Sequence, residues 1–102
     1  MREITKSQFK KEVLNRQGKV VVDVYADWCS PCKLLKPVLD KLSSSYDGID
    51  FFQLDGESES DIVSEYKVSS LPTILIFKDG ELVKKLIGLQ NEKALKEHID
   101  AA

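Results

Sequence analysis

Both cysteines of the chain lie in one tetrapeptide, Cys29-Ser30-Pro31-Cys32, and no other cysteine occurs among its 102 residues. Two thiols separated by two residues can close into a disulfide, and the first becomes a reactive thiolate where a helix begins. Unpaired backbone N–H groups and the positive end of the helix dipole favour an anion at that point. The tetrapeptide therefore predicts a dithiol that exchanges electrons with other disulfides.

The spacing predicts different roles for the two sulfurs. Cys29 falls where a strand ends and a helix starts, so its thiol should ionise readily. We expect Cys32, one turn further in, to be more buried and to attack a mixed disulfide formed at Cys29. Pro31 suits the first turn of a helix, where its missing N–H costs little.

A structural zinc site is the alternative interpretation of a cysteine pair, but such a site needs four ligands. The only histidine is His98, and there is no second pair of cysteines. The sequence therefore disfavours a metal site within one chain and leaves open only a site shared between two chains.

A carboxyl group interrupts an apolar stretch just before the cysteines. Asp23 lies within residues 20–26, which are apolar at nearly every position and so predict a strand buried on both faces. Burial disfavours the ionised carboxylate and raises its pKa. Such a group beneath a dithiol could accept the Cys32 proton and return it later. The structural alternative is that Asp23 ends the strand or satisfies a backbone group.

The elements that would position these residues alternate in type. Apolar patterns predict strands at residues 2–5, 20–26, 49–54, 73–77 and 82–87. Helices are predicted after Thr5, Cys29, Ser58 and Asn91. The order βαβαβα followed by ββα predicts an α/β fold whose mixed sheet is parallel early and antiparallel late.

Local signals refine two of these elements. The helix after the cysteines has an apolar stripe composed of Leu34, Leu35, Val38, Leu39 and Leu42. Pro37 lies inside that stripe, so we expect a kink rather than a stop. Asp79-Gly80 suits the positive φ angles of a tight hairpin between the last two strands.

Composition and charge limit the class of protein. With 42% hydrophobic and 31% charged residues, the chain is typical of one compact soluble domain spanning residues 1–102. The net charge of −2 and the scattered lysines argue against nucleic-acid binding. No apolar run approaches the roughly 20 residues that cross a bilayer. The N-terminus lacks a signal-peptide pattern, so we expect a cytoplasmic protein, and nothing requires more than a monomer.

Taken together, these residues resemble the thioredoxin family over the whole chain. The matching segments are residues 22–33, Pro37, Leu71-Pro72-Thr73, Lys78-Asp79-Gly80 and Ile87-Gly88. The resemblance implies a thioredoxin fold, in which one mixed five-stranded sheet is flanked by four helices.

The same resemblance implies roles for particular residues. Cys29 would be the nucleophile, Cys32 the resolving thiol and Asp23 the buried acid. Pro72 would be a cis-proline packed against the disulfide, with the backbone of Leu71 available to an extended substrate. The flat apolar surface that docks target proteins would comprise Trp28, Pro31, Pro72, Gly88 and Leu89.

The implied activity is that of a cytoplasmic thiol–disulfide oxidoreductase that reduces protein disulfides. It would be reduced again by a flavoprotein, thioredoxin reductase, and would bind no organic cofactor or metal itself. Two alternatives stay open. A disulfide isomerase or oxidase would need an oxidising compartment, and a binding module would use the surface without thiol turnover.

Two residues depart from the family pattern and should tune the redox chemistry. Ser30 replaces the usual glycine after the first cysteine, whereas the retained Pro31 is similar to the reducing members of the family. Gln53 takes the place of a lysine on the strand that should neighbour Asp23. Without that cation, we expect Asp23 to stay protonated to higher pH.

Overall fold

A computed structural model describes residues 1–102 of the chain. The strands are β1 (Arg2–Glu3), β2 (Lys19–Tyr25), β3 (Asp50–Asp55), β4 (Thr73–Lys78) and β5 (Glu81–Ile87). The helices are α1 (Lys6–Phe9), α2 (Ser30–Ser43), α3 (Ser60–Glu65) and α4 (Glu92–Ala101), and α1 continues as a π-helical segment over Lys10–Leu14. No helix combines the length and apolar composition needed to cross a membrane.

The five strands form one mixed sheet in the order β1-β3-β2-β4-β5. β1 and β2 run parallel to β3, β4 runs antiparallel to β2, and β5 runs antiparallel to β4. The predicted α/β fold, with a five-stranded mixed sheet and four helices, is confirmed. Helices cover both faces of the sheet at strand β2, which explains why it is apolar at most positions.

Alternate side chains of β2 enter two different cores. Val20, Val22 and Val24 pack with residues of α1 and α3 on one face of the sheet. Val21 packs on the other face with Leu35 and other residues of α2 and α4. Because successive side chains of a strand point to opposite faces, Asp23 lies on the face that α2 and α4 cover.

Helix α2 departs from prediction in one respect. It runs from Ser30 to Ser43 through Pro37 without a stop, but Leu34 is 62% exposed. The prediction that Leu34 belongs to the inward-facing apolar stripe of α2 was therefore wrong. Leu35, Leu39 and Leu42 already fill the inward side of α2 at spacings of four and three residues.

Element boundaries depend on local hydrogen bonds. The predicted cap of α4 is confirmed, since Asn91 Oδ1 accepts a hydrogen bond from the Ala94 N–H at 2.8 Å. The hairpin prediction is also confirmed, with φ angles of 51° at Asp79 and 84° at Gly80. Helix α3, in contrast, begins later than the pattern at Ser58 predicted and has no side-chain cap.

Candidate functional site

The two cysteines lie at the N-terminus of α2, close to the end of β2. They form a disulfide with a Cα–Cα distance of 5.3 Å. Cys29 is the residue that caps the helix, and its Sγ accepts a hydrogen bond from the Cys32 N–H at 3.2 Å. This N–H and the positive end of the helix dipole would stabilise a thiolate at Cys29 once the disulfide opens.

The expected difference in burial between the two cysteines is wrong for the disulfide state. Cys29 is 3% exposed and Cys32 is 4% exposed. Both pack with Ala26, and Tyr25 and Leu71 lie against this cluster. In the closed disulfide the Cys29 sulfur is bonded to that of Cys32 and shares its surroundings, so exposure does not distinguish the two.

Asp23 lies inside the sheet, as its apolar neighbours predicted. It is 1% exposed, and its Oδ1 atom has no hydrogen-bond partner. Burial raises the pKa of this carboxyl group to about 7, helped by the negative charges of Asp40 and Glu3 and opposed by Lys36. The group therefore changes its charge near neutral pH.

A pocket of about 210 Å³ has both Asp23 and Cys32 in its wall. Its remaining lining residues are Tyr25, Ala26, Asp27, Lys33, Lys36 and Gln53. This volume has room for water molecules, and the lining provides polar partners for them. Asp23 and Cys32 therefore line one pocket with room for water between polar groups.

Five residues of this pocket were not singled out as functional from the sequence, and Tyr25 and Lys36 are two of them. Tyr25 is two residues after Asp23 on β2, and Lys36 is four residues after Cys32 on α2. The two-residue period of a strand places Tyr25 on the same face as Asp23, and the helical period places Lys36 on the same face as Cys32. That periodicity was the available signal for both.

The Leu71–Pro72 peptide bond is cis, as the family resemblance implied. Pro72 is buried, and its carbonyl accepts a hydrogen bond from the Gly88 N–H at 2.9 Å. Leu71 packs against the cysteine cluster, while its own backbone N–H and C=O make no hydrogen bond within the chain. These two groups are free to pair with an added strand.

Apolar side chains near the cysteines face solvent. Trp28 is 67% exposed and Leu89 is 52% exposed, and Ser30 and Pro31 are exposed as well. The Trp28 indole N–H donates a hydrogen bond to Glu57. A second pocket, of about 270 Å³, lies between Trp28 and Leu71. No group of His, Cys, Asp and Glu side chains is arranged to hold a metal ion.

Known proteins are similar to this chain in sequence and in fold. The family model described as Thioredoxin matches residues 1–101. Thioredoxin from Rickettsia felis is 41% identical, with 95% of this chain and 93% of the relative covered. Thioredoxin-1 from Saccharomyces cerevisiae is 40% identical, with 95% and 92% covered.

Solved structures agree with these relatives. Oxidised mitochondrial thioredoxin 3 from Saccharomyces cerevisiae superposes with a TM-score of 0.90 at 35% identity, covering 100% of this chain and 95% of that one. A second solved structure matches with the same TM-score at 34% identity, covering 100% of this chain and 95% of that one. It comes from work on how a yeast mitochondrial 1-Cys peroxiredoxin is resolved through the glutathione and thioredoxin systems. The chain therefore belongs to the thioredoxin family, and its Cys29–Cys32 pair is that of a thioredoxin-type disulfide oxidoreductase.

Proposed function

We propose that the protein reduces disulfide bonds in other proteins, with Cys29 as the attacking thiol and Cys32 as the resolving thiol. The Cys29 thiolate attacks one sulfur of the target disulfide, and the other target sulfur leaves as a thiolate that is protonated by water. Cys32 then attacks Cys29 in the mixed disulfide. This step closes the Cys29–Cys32 disulfide, releases the second target thiol and completes the transfer of two electrons.

We assign the proton transfer of the second step to Asp23. Cys32 must lose a proton to attack, and Asp23 lines the same pocket with a pKa of about 7. A carboxylate there can accept the proton through water and return it when the disulfide reopens. The observation that carries the proposal is this pocket, which joins a buried acid to a cysteine pair at a helix N-terminus.

The flat apolar surface around Cys29 is proposed to bind target proteins. Its proposed members are Trp28, Pro31, Pro72, Gly88 and Leu89, of which Pro72 is buried in the free protein. The exposure of Trp28 and Leu89 supports this role. An extended target segment would pair with the free backbone groups of Leu71, a mode of binding that reads the main chain and therefore accepts many targets.

Turnover requires a second protein that returns electrons to the Cys29–Cys32 disulfide. We propose that this second protein is thioredoxin reductase, a flavoprotein. The flavin belongs to that partner. We also propose that this chain itself binds no organic cofactor and no metal. The proposed compartment is the cytoplasm, where thiols are kept reduced. We further propose that residues 1–102 act as one domain and as a monomer, since one sheet carries both cores.

The test is the reduction of insulin, a disulfide-bonded protein, with NADPH and thioredoxin reductase as the electron source. We expect turnover by the wild type and by Ser44→Ala, which changes an exposed serine at the far end of α2. Cys29→Ser should abolish it. Turnover with dithiothreitol but not with the reductase would reject the proposed partner. No turnover with either electron source would reject the proposed function.

A further inference from the structure

Two side chains that line the Asp23 pocket donate hydrogen bonds to one oxygen of Glu3. The Tyr25 hydroxyl donates to Glu3 Oε1 at 2.7 Å, and the Gln53 amide donates to the same atom at 2.8 Å. An ionised carboxylate only accepts hydrogen bonds, so Glu3 fixes the direction of both donors. Burial and then the hydrogen bond to Glu3 raise the pKa of Tyr25, which keeps its hydroxyl protonated.

The sheet register places Glu3, Gln53 and Asp23 in one row. Glu3 is paired with Gln53 between β1 and β3, and Gln53 is paired with Asp23 between β3 and β2. Paired residues of parallel strands lie on the same face, about 5 Å apart. Tyr25 is two residues after Asp23 and shares that face. Gln53 is therefore the direct neighbour of Asp23 in the sheet, and Gln53 and Tyr25 line the same pocket as Asp23.

Resting on the proton transfer proposed above, we propose that Glu3 is a positioning residue for it, because Glu3 keeps the Tyr25 hydroxyl and the Gln53 amide turned away from Asp23. The Oδ1 atom of Asp23 has no hydrogen-bond partner even though both donors line its pocket. Donors favour the charged form of a carboxyl group. Without these two donors, the Asp23 carboxyl group holds its proton more firmly. It can therefore exchange that proton with Cys32 near neutral pH.

Other charges also act on Asp23 and must stay constant in a test. Asp40 and Lys36 face it from α2, where Asp40 is bonded to the Met1 amino group at 2.7 Å and to Lys36 at 3.1 Å. The remaining surroundings are Asp27, Cys32 and Lys33 in the pocket wall and Ile74 on β4. None of these groups is changed by a substitution at Glu3.

Two substitutions separate the charge of Glu3 from its hydrogen bonds. Glu3→Gln removes the charge but keeps an acceptor for Tyr25 and Gln53. Glu3→Leu removes both, so the two donors can turn towards Asp23 or towards water bound beside it. We expect the titration midpoint of Asp23 to fall by roughly half a pH unit in Glu3→Gln and by roughly one or more in Glu3→Leu.

The midpoint is measured by NMR on the oxidised full chain with ¹³C-labelled aspartate carboxyl groups. Asp47→Asn, which removes an equal charge at an exposed site outside the pocket, should leave the midpoint unchanged. The double variant Glu3→Leu/Gln53→Met lacks one of the freed donors, so its midpoint should move back towards the wild-type value. A merely structural role of Glu3 would produce no such recovery.

Either of two results would overturn the proposal: an unchanged midpoint in Glu3→Leu, or no recovery in the double variant. The proton transfer on which it rests is tested separately by the rate at which the mixed disulfide resolves. If Asp23→Asn resolves it as fast as the wild type, the role of Asp23 is rejected, whatever the NMR midpoints show.

Discussion

The sulfur of Cys29 accepts a hydrogen bond from the backbone N–H of Cys32 at 3.2 Å. Pro31, between them in the first turn of α2, has no N–H of its own. Cys32 is the third residue of the helix, and its N–H is directed at the capping side chain as in an ordinary helix N-cap. Since the two cysteine residues are about equally buried, this bond is the asymmetry on which the proposed thiolate at Cys29 rests.

The first prediction follows from that asymmetry. Cys32→Ser should form stable mixed disulfides with target proteins through Cys29, because the thiol that resolves them is missing. Cys29→Ser should form few, since Cys32 lacks the position at the helix cap. The measurement is non-reducing electrophoresis after incubation with an oxidised test protein, followed by mass spectrometry of the linked peptides. More abundant mixed disulfides in Cys29→Ser than in Cys32→Ser would reverse the assigned roles.

The second prediction concerns Ser30, which departs from the family pattern. Its side chain is exposed and makes no hydrogen bond. Contrary to the tuning expected from the sequence, we therefore expect the reduction potential to lie near about −270 mV and to change by less than about 30 mV in Ser30→Gly. Equilibration with a defined thiol buffer measures both values, and Ser30→Ala separates the hydroxyl group from backbone freedom. A wild-type value near about −180 to −120 mV would instead indicate an isomerase or oxidase.

The sequence predicted the element order because its signals are local. Asn91 and Asp79-Gly80 act on their own turns, and strand β2 shows its double burial in consecutive residues. Leu34 fits the period of α2 but lies outside the side that faces the sheet, which only packing determines. The bond between Glu3 and Gln53 joins residues 50 positions apart. It depends on the pairing of β1 with β3, which no local pattern encodes.

The third prediction is that Asp23→Asn stabilises the folded protein at neutral pH. Burial, then Asp40, raises the Asp23 pKa from 3.8 to about 7. Between these values the unfolded chain has lost the proton that the folded chain keeps, so wild-type stability falls as pH rises. The loss levels off above about pH 7 and is on the order of 4 kcal/mol. Asparagine does not ionise, so Asp23→Asn does not lose this stability as the pH rises.

Denaturant unfolding of the oxidised proteins from pH 4 to pH 8 measures this effect. The difference between Asp23→Asn and wild type should increase across the interval between the two pKa values. Asp47→Asn, at an exposed site, should follow the wild-type curve. Curves for Asp23→Asn and wild type that stay parallel would show that Asp23 titrates alike in both states.

The fourth prediction is that Gln53→Lys lowers the pKa of Asp23. Gln53 is paired with Asp23 across β3 and β2 and lines the same pocket. An ammonium group there would favour the ionised carboxyl group, as the nearby Lys36 already does. Glu3 would compete for this cation, because it already accepts a hydrogen bond from the Gln53 side chain. We therefore expect a fall of roughly one pH unit rather than a full return to the unperturbed value.

Carboxyl NMR titration measures this fall, and the pH profile of mixed-disulfide resolution should move with it. Gln53→Met is the matched control. Methionine has a side chain of similar length but carries neither the charge of the lysine nor the hydrogen bond that Gln53 makes. A lower midpoint in the lysine variant than in the methionine variant attributes the shift to the cation. Equal midpoints in the two variants and the wild type would mean that Gln53 has no part in tuning Asp23, since the pocket would then be indifferent to charge at that position.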